Sequence, residues 1–315
     1  MEYVKCNLCG RNDTKVRYVF LNDRFGKWKK RNEASLKFMS LLKDKNPNIP
    51  KFFYFVQCDG CGLIYQNPRF DFNELRMIAY PPEMFIKGKE RKIIRGTKVR
   101  ERYKWLREIK QIEKFSNKGK ILDIGCANGI FLYYCEKNGW EPYGIEQSEI
   151  AVNYATKELD LNVKQGTLED VKYPDDFFDV VTMFDVIEHL PDPKKTLQKI
   201  HKILKPNGLL IVMTINVGSL NARVAGKYWT HIHPLGHYYY FSRKTLSKVL
   251  EITGFKPFKV EYYVKGYRDI LSFAKRTFFD LIYFSFIFRE KLPFVWHELG
   301  DRMVFYAKNI EDKAK

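Results

Sequence analysis

The chain has 315 residues, of which 45% are hydrophobic and 16% aromatic, so it can bury a full core and is not a disordered polymer. Its 55 Lys and Arg against 37 Asp and Glu give a formal net charge of +18, which favours anionic partners such as nucleic acid, a membrane surface or a phosphorylated substrate. The start, MEYVKCNLCG, lacks the apolar core of a secretory signal, and no apolar run reaches the roughly 18 residues that cross a bilayer, so we expect a cytoplasmic protein.

The cysteines near the start of the chain predict a metal site. Cys6 and Cys9 form one C-x2-C pair, Cys58 and Cys61 form a second, and a glycine follows each pair. Glycine at that place lets the turn tighten so that backbone N–H groups point at the sulfur atoms. Four thiolates suit a closed tetrahedral site, so we predict a structural Zn²⁺ held by these residues. Two disulfides or an iron–sulfur cluster are less favoured, because a cytosolic compartment disfavours disulfides.

Two basic stretches precede the larger part of the chain. The first, RFGKWKKRNEASLKFMSLLKDKNP, is a partly helical insertion between the cysteine pairs. The second covers about residues 87–120 and places its apolar side chains near helical spacing. We interpret it as a solvated helix that covers the next domain's sheet; a nucleic-acid surface is the alternative. The expected units are a zinc-binding module at 1–70, with its basic insertion, and a helical linker or cap at 71–118.

From Lys120 onwards, apolar strands alternate with amphipathic helices. The expected strands are KILDIG, PYGIE, NVKQG, FDVVTMF and LLIVMTI. The expected helices are IFLYYCEKNG, ending at Gly139, EIAVNYATKELD, and KKTLQKIHKILKPNG, ending at Gly208. This alternation predicts a parallel sheet with right-handed crossovers, and the ligand should lie at its carboxyl edge near the first strand. FKPFKVEYYVK and DRMVFYAKN alternate as an antiparallel hairpin does.

The predicted fold class is therefore α/β: a seven-stranded, mostly parallel sheet with a C-terminal antiparallel hairpin over 119–310, plus the small N-terminal zinc module. An apolar helical insertion at 266–300 interrupts the larger domain, and apolar side chains cover most of its segment 269–289. That segment can contact a membrane interface, pack on a second subunit in a homodimer, or roof the active site. We favour an anionic membrane surface, because the net charge of +18 suits one.

The first strand runs into a glycine loop, GCANG at 125–129. Ile130 stands where a dinucleotide-binding loop has its third glycine, and no Gly-Lys-Ser/Thr phosphate clamp follows. Glu146 ends the second strand, where a carboxylate can accept hydrogen bonds from both hydroxyls of a ribose. A nucleoside with a small polar tail and no phosphate fits these constraints.

Together the motifs ILDIGCANG, GIEQS, FDVVTMFDVIEHLPDP and LKPNGLLIVMT resemble, in order and spacing, those of class I S-adenosylmethionine-dependent methyltransferases. The core is also similar to the ubiquinone-biosynthesis O-methyltransferases. CDGCGLIYQNPRF before it and WTHIHPLGHYYYFSRKTLSKVLEITGF after it resemble a subgroup with an N-terminal cysteine-rich module, associated with modification of sugars, glycans and secondary metabolites. The resemblance covers most of residues 1–260. It implies a Rossmann-like fold and S-adenosylmethionine as the cofactor.

The resemblance implies that the cofactor lies against the ends of successive strands. The implied cofactor-binding residues are Asp123, Gly125, Cys126, Gly129, Glu146, Thr167, Leu168 and Phe184. Glu146 would hold the ribose. Thr167 stands where many relatives carry an acid, so the backbone around Leu168 is expected to contact the adenine instead. Phe184 and Asp185 would lie near the methyl group; ordinary strand-end packing is the alternative for each residue.

An acceptor O or N atom must lose its proton, and a positioned histidine or carboxylate accelerates that step by about 10²–10⁴-fold. The candidate catalytic residues are Asp185, Glu188 and His189 in DVIEHL, and His233 and His237 in THIHPLGHYYYFS. If the second segment is extended, His231 and His233 share a face. The tyrosines at 238–240 would form a stacking wall for a sugar or an aromatic ring.

Quinone-type relatives have an acid followed, three and four residues later, by Glu and His, and this set can bind a divalent ion. Asp185, Glu188 and His189 have the same spacing. Mg²⁺ at these residues is the less favoured alternative to a general base. Catalysis by positioning alone is the third reading.

We therefore predict an S-adenosylmethionine-dependent methyltransferase whose acceptor is a small molecule, a sugar or a lipid-linked glycan, methylated at O, with N or C as alternatives. It would be cytoplasmic or peripheral on the inner face of the membrane. An RNA methyltransferase is less favoured, because the sequence lacks an N-P-P-Y type base-flipping motif. An inactive cofactor-binding scaffold is also less favoured, because the loop and Glu146 are intact.

Overall fold

A computed structural model of the chain describes residues 1–21, 52–71, 99–234, 236–263 and 300–310. The basic insertion between the cysteine pairs lies outside the described residues. So does the apolar insertion predicted at 266–300, except for Gly300.

The described residues form two sheets and the helices that pack on them. The strands are β1 (Thr14–Leu21), β2 (Phe52–Cys58), β3 (Ile64–Gln66), β4 (Lys120–Ile124), β5 (Glu141–Glu146), β6 (Asn162–Gln165), β7 (Phe178–Phe184), β8 (Leu204–Ile215), β9 (Tyr239–Tyr240), β10 (Phe255–Tyr263) and β11 (Arg302–Asn309). The α-helices are α1 (Val99–Ile112), α2 (Ile130–Lys137), α3 (Glu149–Lys157), α4 (Pro193–Ile203), α5 (Leu220–Ala225) and α6 (Arg243–Ile252). Short 3-10 turns occupy Ile187–His189 and Gly226–Tyr228.

The larger sheet has seven strands in the order β10-β11-β8-β7-β4-β5-β6. The five strands from β6 to β8 pair in parallel, whereas β11 is antiparallel to both β8 and β10. The predicted α/β class, with a mostly parallel sheet and a C-terminal antiparallel hairpin, is confirmed. Because the chain continues from β4 to β5 on one side and later returns to β7 on the other, a crevice opens at the carboxyl end of β4.

The central strands are apolar on both faces. In β8, Leu209 and Ile211 enter one buried cluster, whereas Leu210 and Val212 enter the other. Successive side chains of a strand point to opposite faces, so these two clusters are the cores on either side of the sheet. This is why the sequence reads as a continuous apolar run there and not as an alternation.

Helix α1 is the described part of the second basic stretch. Its residues Ile109 and Ile112 are buried in the same cluster as Ile121 of β4, so the helix covers one face of the larger sheet. None of the helices formed by the described residues is long and apolar enough to cross a membrane.

One predicted boundary is wrong. The helix expected to end at Gly208 ends at Ile203, and the chain is already a strand from Leu204. Pro206 explains the difference, because the residue before a proline disfavours the helical conformation and the proline itself has no N–H to donate. Asn207, in the left-handed region at φ 59°, then turns the chain into the buried part of β8.

The smaller sheet has the order β1-β2-β3-β9. Its last strand comes from far along the chain, since Ile64 pairs with Tyr240 and Tyr65 pairs with Tyr239. Side chains of this sheet and of the larger one share a buried cluster, which includes Phe55, Tyr240 and Ile215. The smaller sheet, which carries the cysteines, therefore packs against the larger sheet. Its strand β9 comes from the part of the chain that otherwise forms the larger sheet and its helices. We refer to residues 1–21 and 52–71 as the cysteine module.

Candidate functional site

The glycine loop at the end of β4 requires glycine at two positions. Gly125 and Gly129 have φ of 72° and 75°, in the left-handed region that favours glycine. A Cβ on Gly125 would lie 2.6 Å from Val186 Cγ2, and one on Gly129 would lie 2.8 Å from Leu161 Cδ1. The contacts that require glycine are therefore within the protein itself. Ala127, at φ 48°, adopts the same region without being glycine.

Glu146, at the end of β5, is joined to this loop. Its Oε2 accepts a hydrogen bond from the Ala127 N–H at 2.9 Å, and its Oε1 accepts one from the Ser148 N–H at 2.8 Å. Each carboxylate oxygen can accept more than one hydrogen bond, so both can also accept from a ligand hydroxyl. The loop and the carboxylate thus hold each other in place before any ligand binds.

Asp123 and Cys126, both assigned to the cofactor, are buried side chains. Asp123 is 4% exposed and accepts a hydrogen bond from Thr182 Oγ1 at 2.7 Å, so it ties β4 to β7. Cys126 packs over β5, where a Cβ on Gly144 would lie 2.7 Å from its Sγ. Burial raises the pKa of the Cys126 thiol well above its usual value, so it is a neutral packed side chain.

A carboxylate contacts Thr167, although residue 167 itself is not acidic. Asp170 Oδ2 accepts hydrogen bonds from the Thr167 N–H at 2.8 Å and from Thr167 Oγ1 at 2.7 Å. Sequence reasoning missed Asp170; the turn that brings it back follows Gly166, and the glycine at that position, whose φ is 130°, was the signal that the sequence offered. Leu168 is 3% exposed and belongs to the core.

Phe184 ends β7 within an aromatic cluster that the sequence did not reveal. Its ring centroid lies 5.1 Å from that of Phe131 and 5.7 Å from that of Trp105. These rings come from α2 and α1, so the cluster packs both helices against the end of β7.

Asp185, the residue after Phe184, forms an ion pair with Arg302, which sequence reasoning missed. Its backbone has φ 57°, and its Oδ2 lies 2.7 Å from Arg302 Nη1. Arg302 begins β11, and pairing of β11 with β8 brings it to the carboxyl edge of β7. Asp185 is therefore joined to Arg302 and lies outside the group formed by Glu188 and the histidines.

Glu188, His189 and His237 come together at the centre of the site, with one donor atom of each within 4.8 Å of the others. Glu188 is 1% exposed, and its Oε2 accepts a hydrogen bond from Thr214 Oγ1 at 2.8 Å. Burial, and secondarily the charge of Asp185, raises the pKa of Glu188 to about 8. We refer to these three residues as the acid–histidine cluster.

The two imidazoles of the cluster are held by backbone carbonyls. His189 Nδ1 lies 2.5 Å from the Gly236 carbonyl oxygen, and His237 Nδ1 lies 3.1 Å from that of His231. The ring centroids of His189 and His237 are 4.7 Å apart. Burial lowers the pKa of His189 to about 4 and that of His237 well below its usual value, so both rings are neutral near neutral pH.

The segment that carries His233 is a turn and not the extended stretch considered in the sequence analysis. The N–H groups of Gly236 and His237 both donate to the His233 carbonyl oxygen, at 3.1 and 2.9 Å. The exposed His233 ring lies 5.6 Å from that of His237, at the edge of the cluster. Pro234 and Gly236 favour this turn over a strand.

The tyrosines at 238–240 are core residues and not an open stacking wall. All three are at most 2% exposed. Tyr238 Oη donates to the Phe70 carbonyl oxygen, Tyr239 Oη donates to that of Pro191, and Tyr240 Oη accepts from the His233 N–H. Pairing of β9 with β3 buries them, and the sequence could not reveal that pairing.

The four cysteines predicted to hold zinc also come together, with all four Sγ atoms within 4.8 Å of one another. Cys6 and Cys61 have their Sγ atoms 3.4 Å apart, as do Cys9 and Cys58. A tetrahedral Zn²⁺ with Zn–S bonds of about 2.3 Å would separate the sulfur atoms by about 3.8 Å. All six cysteines are described, and none is in a disulfide.

Backbone amides surround these sulfur atoms. Cys6 accepts from the N–H groups of Leu8 and Cys9, and Cys58 accepts from those of Gly60 and Cys61. Burial raises the pKa of the Cys61 thiol to about 11, so a cation is needed to favour its thiolate form. Four converging sulfur atoms with amide donors fit a structural zinc.

Comparisons with known proteins agree with this fold. A family model described as a methyltransferase domain matches residues 98–260. The ubiquinone biosynthesis O-methyltransferase of Haemophilus ducreyi is 36% identical over 107 residues, which are 31% of this chain and 45% of the relative. That of Coxiella burnetii is 32% identical over 115 residues, or 34% of this chain and 49% of the relative. The chain thus spans about half the length of the curated relatives it matches.

Two solved structures share the architecture. Phosphoethanolamine N-methyltransferase 2 of Haemonchus contortus, in complex with S-adenosyl-L-methionine, has a TM-score of 0.53 and 17% identity, covering 79% of this chain and 62% of that one. A Haloferax volcanii structure, a complex of the Trm112 methyltransferase activator and a methyltransferase, has a TM-score of 0.51 and 16% identity, covering 73% of this chain and 97% of that one. At these identities the likeness establishes the fold alone.

Proposed function

The chain belongs to the methyltransferase-domain family, whose model matches 98–260 of its 315 residues, and we propose that it transfers a methyl group from S-adenosylmethionine to an acceptor hydroxyl. The acceptor we propose is a small molecule, a sugar or a lipid-linked glycan.

The observation that carries this proposal is the arrangement of the loop at 125–129 and Glu146. Both Glu146 oxygens already accept an amide hydrogen bond, so the carboxylate is fixed where two ribose hydroxyls can reach it. The loop has neither a third glycine nor a lysine for a phosphate, which favours a nucleoside joined to its tail without a phosphate. When bound, S-adenosylmethionine supplies the electrophilic methyl group, and the chain supplies alignment.

The acid–histidine cluster supports deprotonation of the acceptor. Its imidazoles are neutral near neutral pH and can accept a hydrogen bond from an acceptor hydroxyl. With a pKa of about 8, the Glu188 carboxyl is mostly protonated at neutral pH; its ionised fraction, which grows as pH rises, is the form that takes the acceptor's proton, because His189, with a pKa of about 4, does not hold one. The three groups titrate as one unit, so we assign the proton to the cluster and not to a single histidine.

The same donor set bears on the alternative of a bound divalent ion. Mg²⁺ prefers oxygen ligands, whereas this cluster offers two imidazole nitrogens and one carboxylate. The second carboxylate expected from the sequence, Asp185, is joined to Arg302 instead. These donors do not fit Mg²⁺.

For the cysteine module we propose a structural zinc held by Cys6, Cys9, Cys58 and Cys61. No open coordination position is needed there, because four sulfur atoms complete a tetrahedral site. The zinc would hold the two cysteine turns together and take no part in the transfer.

The proposed transfer is tested by incubating the chain with S-adenosylmethionine and separate pools of polar metabolites, lipid-linked sugars and RNA. Mass spectrometry should find molecules of the first two pools that gain one CH₂. Methylation confined to RNA, with binding that weakens steeply as salt rises, would replace the proposed acceptor by nucleic acid. The E188Q variant is the matched control, since it keeps the shape of the side chain and loses its ionisable proton.

A further inference from the structure

The loop between β7 and α4, residues 185–192, carries both Glu188 and His189. On one side it rests on the larger sheet, where Thr214 Oγ1 donates to Glu188. On the other side it meets the cysteine module, which the proposed chemistry does not use. The contacts on that second side are specific, and all of them are at least partly buried.

Arg69 makes the first of these contacts from the end of the cysteine module. Its side chain is 10% exposed, and its Nη1 donates to the Pro191 carbonyl oxygen at 2.8 Å and to Tyr239 Oη at 3.0 Å. Tyr239 Oη donates to the same Pro191 oxygen at 3.1 Å. The Nε of Arg69 pairs with Glu2 at 2.9 Å, and its guanidinium lies 4.8 Å from the ring centroid of Tyr238. The guanidinium therefore joins the β7–α4 loop to β9.

Asn7 makes the second contact from within the first cysteine turn. Its Nδ2 donates to Asp192 Oδ1 at 2.7 Å, and its Oδ1 accepts from the Lys194 N–H at 3.1 Å. Asp192 is the N-cap of α4 and also accepts from the Lys195 N–H. Asn7 lies between Cys6 and Cys9, so whatever fixes that turn also fixes the N-cap that ends the β7–α4 loop.

The segment that carries His237 is tied to the same module. The Tyr238 N–H donates to the Glu188 carbonyl oxygen at 2.9 Å, and the Gln66 N–H donates to the Tyr238 carbonyl oxygen at 2.9 Å. Tyr238 Oη donates to the Phe70 carbonyl oxygen at 3.1 Å. Glu188 and His189 lie on one segment and His237 on another, and both segments thus depend on contacts with the cysteine module for their relative position.

We infer that Arg69 and Asn7 are positioning residues. Through them, the cysteine module sets the geometry of Glu188, His189 and His237. The inference rests on the proposed function only for its catalytic consequence. Neither side chain reaches the loop at 125–129 or Glu146, and among the described residues the hydrogen bonds of that loop and of Glu146 involve no part of the cysteine module. Loss of either contact should therefore impair turnover and leave cofactor binding unchanged.

The test compares Arg69→Met and Asn7→Ala with wild type by hydrogen exchange. The amides to follow are those of His189 and Tyr238, which donate to Val186 and Glu188 within this region. Their exchange should speed up by about tenfold in either variant, as expected for loss of a hydrogen bond to a charged group. Amides of β4 and β5 should not change. Lys15→Met is the control, because it removes an exposed cation of the module, paired with Asp59, without contact to the loop.

Further readouts separate this inference from the proposed function. Once an acceptor has been identified, the kcat of either variant should fall about tenfold relative to wild type. The KM for S-adenosylmethionine should stay within about twofold of the wild-type value, since only the positioning contact is lost. Removal of zinc by a chelator should speed exchange at the same two amides.

Unchanged exchange at both amides in Asn7→Ala and Arg69→Met would overturn the inference, whatever the activity. If Arg69→Met does not fold, Asn7→Ala, whose side chain is only half-buried, decides by the same criterion. If S-adenosylmethionine fails to bind the wild type, the proposed function falls, and the exchange result still stands.

Discussion

Glu146 and Glu188 are carboxylates at the same edge of the larger sheet, but their surroundings give them different roles. Glu146 is half-buried and accepts backbone amides on both oxygens, which suits an ionised group that binds hydroxyls. Glu188 is 1% exposed, and burial raises its pKa to about 8, which suits a group that holds a proton. The position of Glu146 at a strand end was predictable from the sequence. The burial of Glu188 was not, because Thr214 of β8 and His237, which lie far along the chain, come to lie beside it.

Replacing Glu146 tests the ribose assignment. Glu146→Ala removes one or two charge-assisted hydrogen bonds, each worth about 1.5–3 kcal/mol, and should weaken S-adenosylmethionine binding at least about tenfold. Titration calorimetry measures the effect. Glu149→Ala, which removes an exposed carboxylate three residues along the chain, should bind as wild type does. Equal affinity for the two variants would remove the assignment.

Replacing Glu188 by glutamine tests its raised pKa. Below its unfolded pKa of 4.5 the carboxyl is protonated in both the folded and unfolded states. Between pH 4.5 and about 8 only the unfolded state loses the proton, so wild-type stability falls as pH rises through this window. E188Q lacks this loss and should gain in free energy of unfolding, relative to wild type, from pH 4.5 to pH 8. His189 has the opposite trend, since its lowered pKa favours folding as pH rises from about 4 to 6.5, but it is present in both proteins. Denaturant titrations at the two ends of the window measure the difference; a constant difference would contradict the raised pKa.

The β-strands show which elements local pattern can predict. The strands β4, β7 and β8 were visible because burial on both faces demands apolar runs between helices, and β10 and β11 because they alternate. β9 was not visible, since it has two residues and its partner β3 lies far away in sequence. The end of α4 was misplaced because Pro206 extends the chain before Gly208 can terminate a helix. The sequence thus predicted the strand, glycine loop and helix at 120–137, whereas it gave the residues of the acid–histidine cluster without their geometry, because β9 sets that geometry.

The pairing of β3 with β9 sharpens the prediction for zinc. We expect one zinc per chain, and Cys58→Ser should lose it. The methyltransferase sheet should stay folded, while the cysteine module loosens because the metal is a main source of its order. Loosening should extend to residues 238–240, since β9 belongs to the same sheet. Elemental analysis and hydrogen exchange measure both effects. Cys135→Ala, in the other buried cluster, should keep the zinc, and wild-type protein without zinc when purified free of chelator would refute the site.

The whole chain carries a net charge of +18, which neither the cofactor site nor the cysteine module explains. The sequence also contains an apolar segment at 269–289, outside the described residues, whose role stays a prediction. Together they favour an anionic membrane surface, where each nearby Lys or Arg contributes about 1 kcal/mol. A homodimer explains the apolar side chains but not the charge.

Liposome flotation tests that prediction. Wild-type protein should float with anionic vesicles and not with neutral ones, and should dissociate as salt rises. Phe284→Glu or Phe288→Glu should abolish flotation, whereas Lys15→Met in the cysteine module should leave it nearly unchanged. If wild type stays in the soluble fraction at low salt, and sedimentation shows a dimer that the same two substitutions split, the segment is an oligomer interface.

The cofactor preference of the wild-type chain is the most direct test of the account. Titration calorimetry should show that S-adenosylmethionine and its demethylated product each bind at one site per chain, and that NAD does not bind. The reason lies in the loop at 125–129, which lacks the third glycine of a dinucleotide site, and in Glu146, which backbone amides fix in place and which we propose binds one ribose. Binding of NAD at this site, or no binding of S-adenosylmethionine by folded, zinc-replete protein, would contradict it.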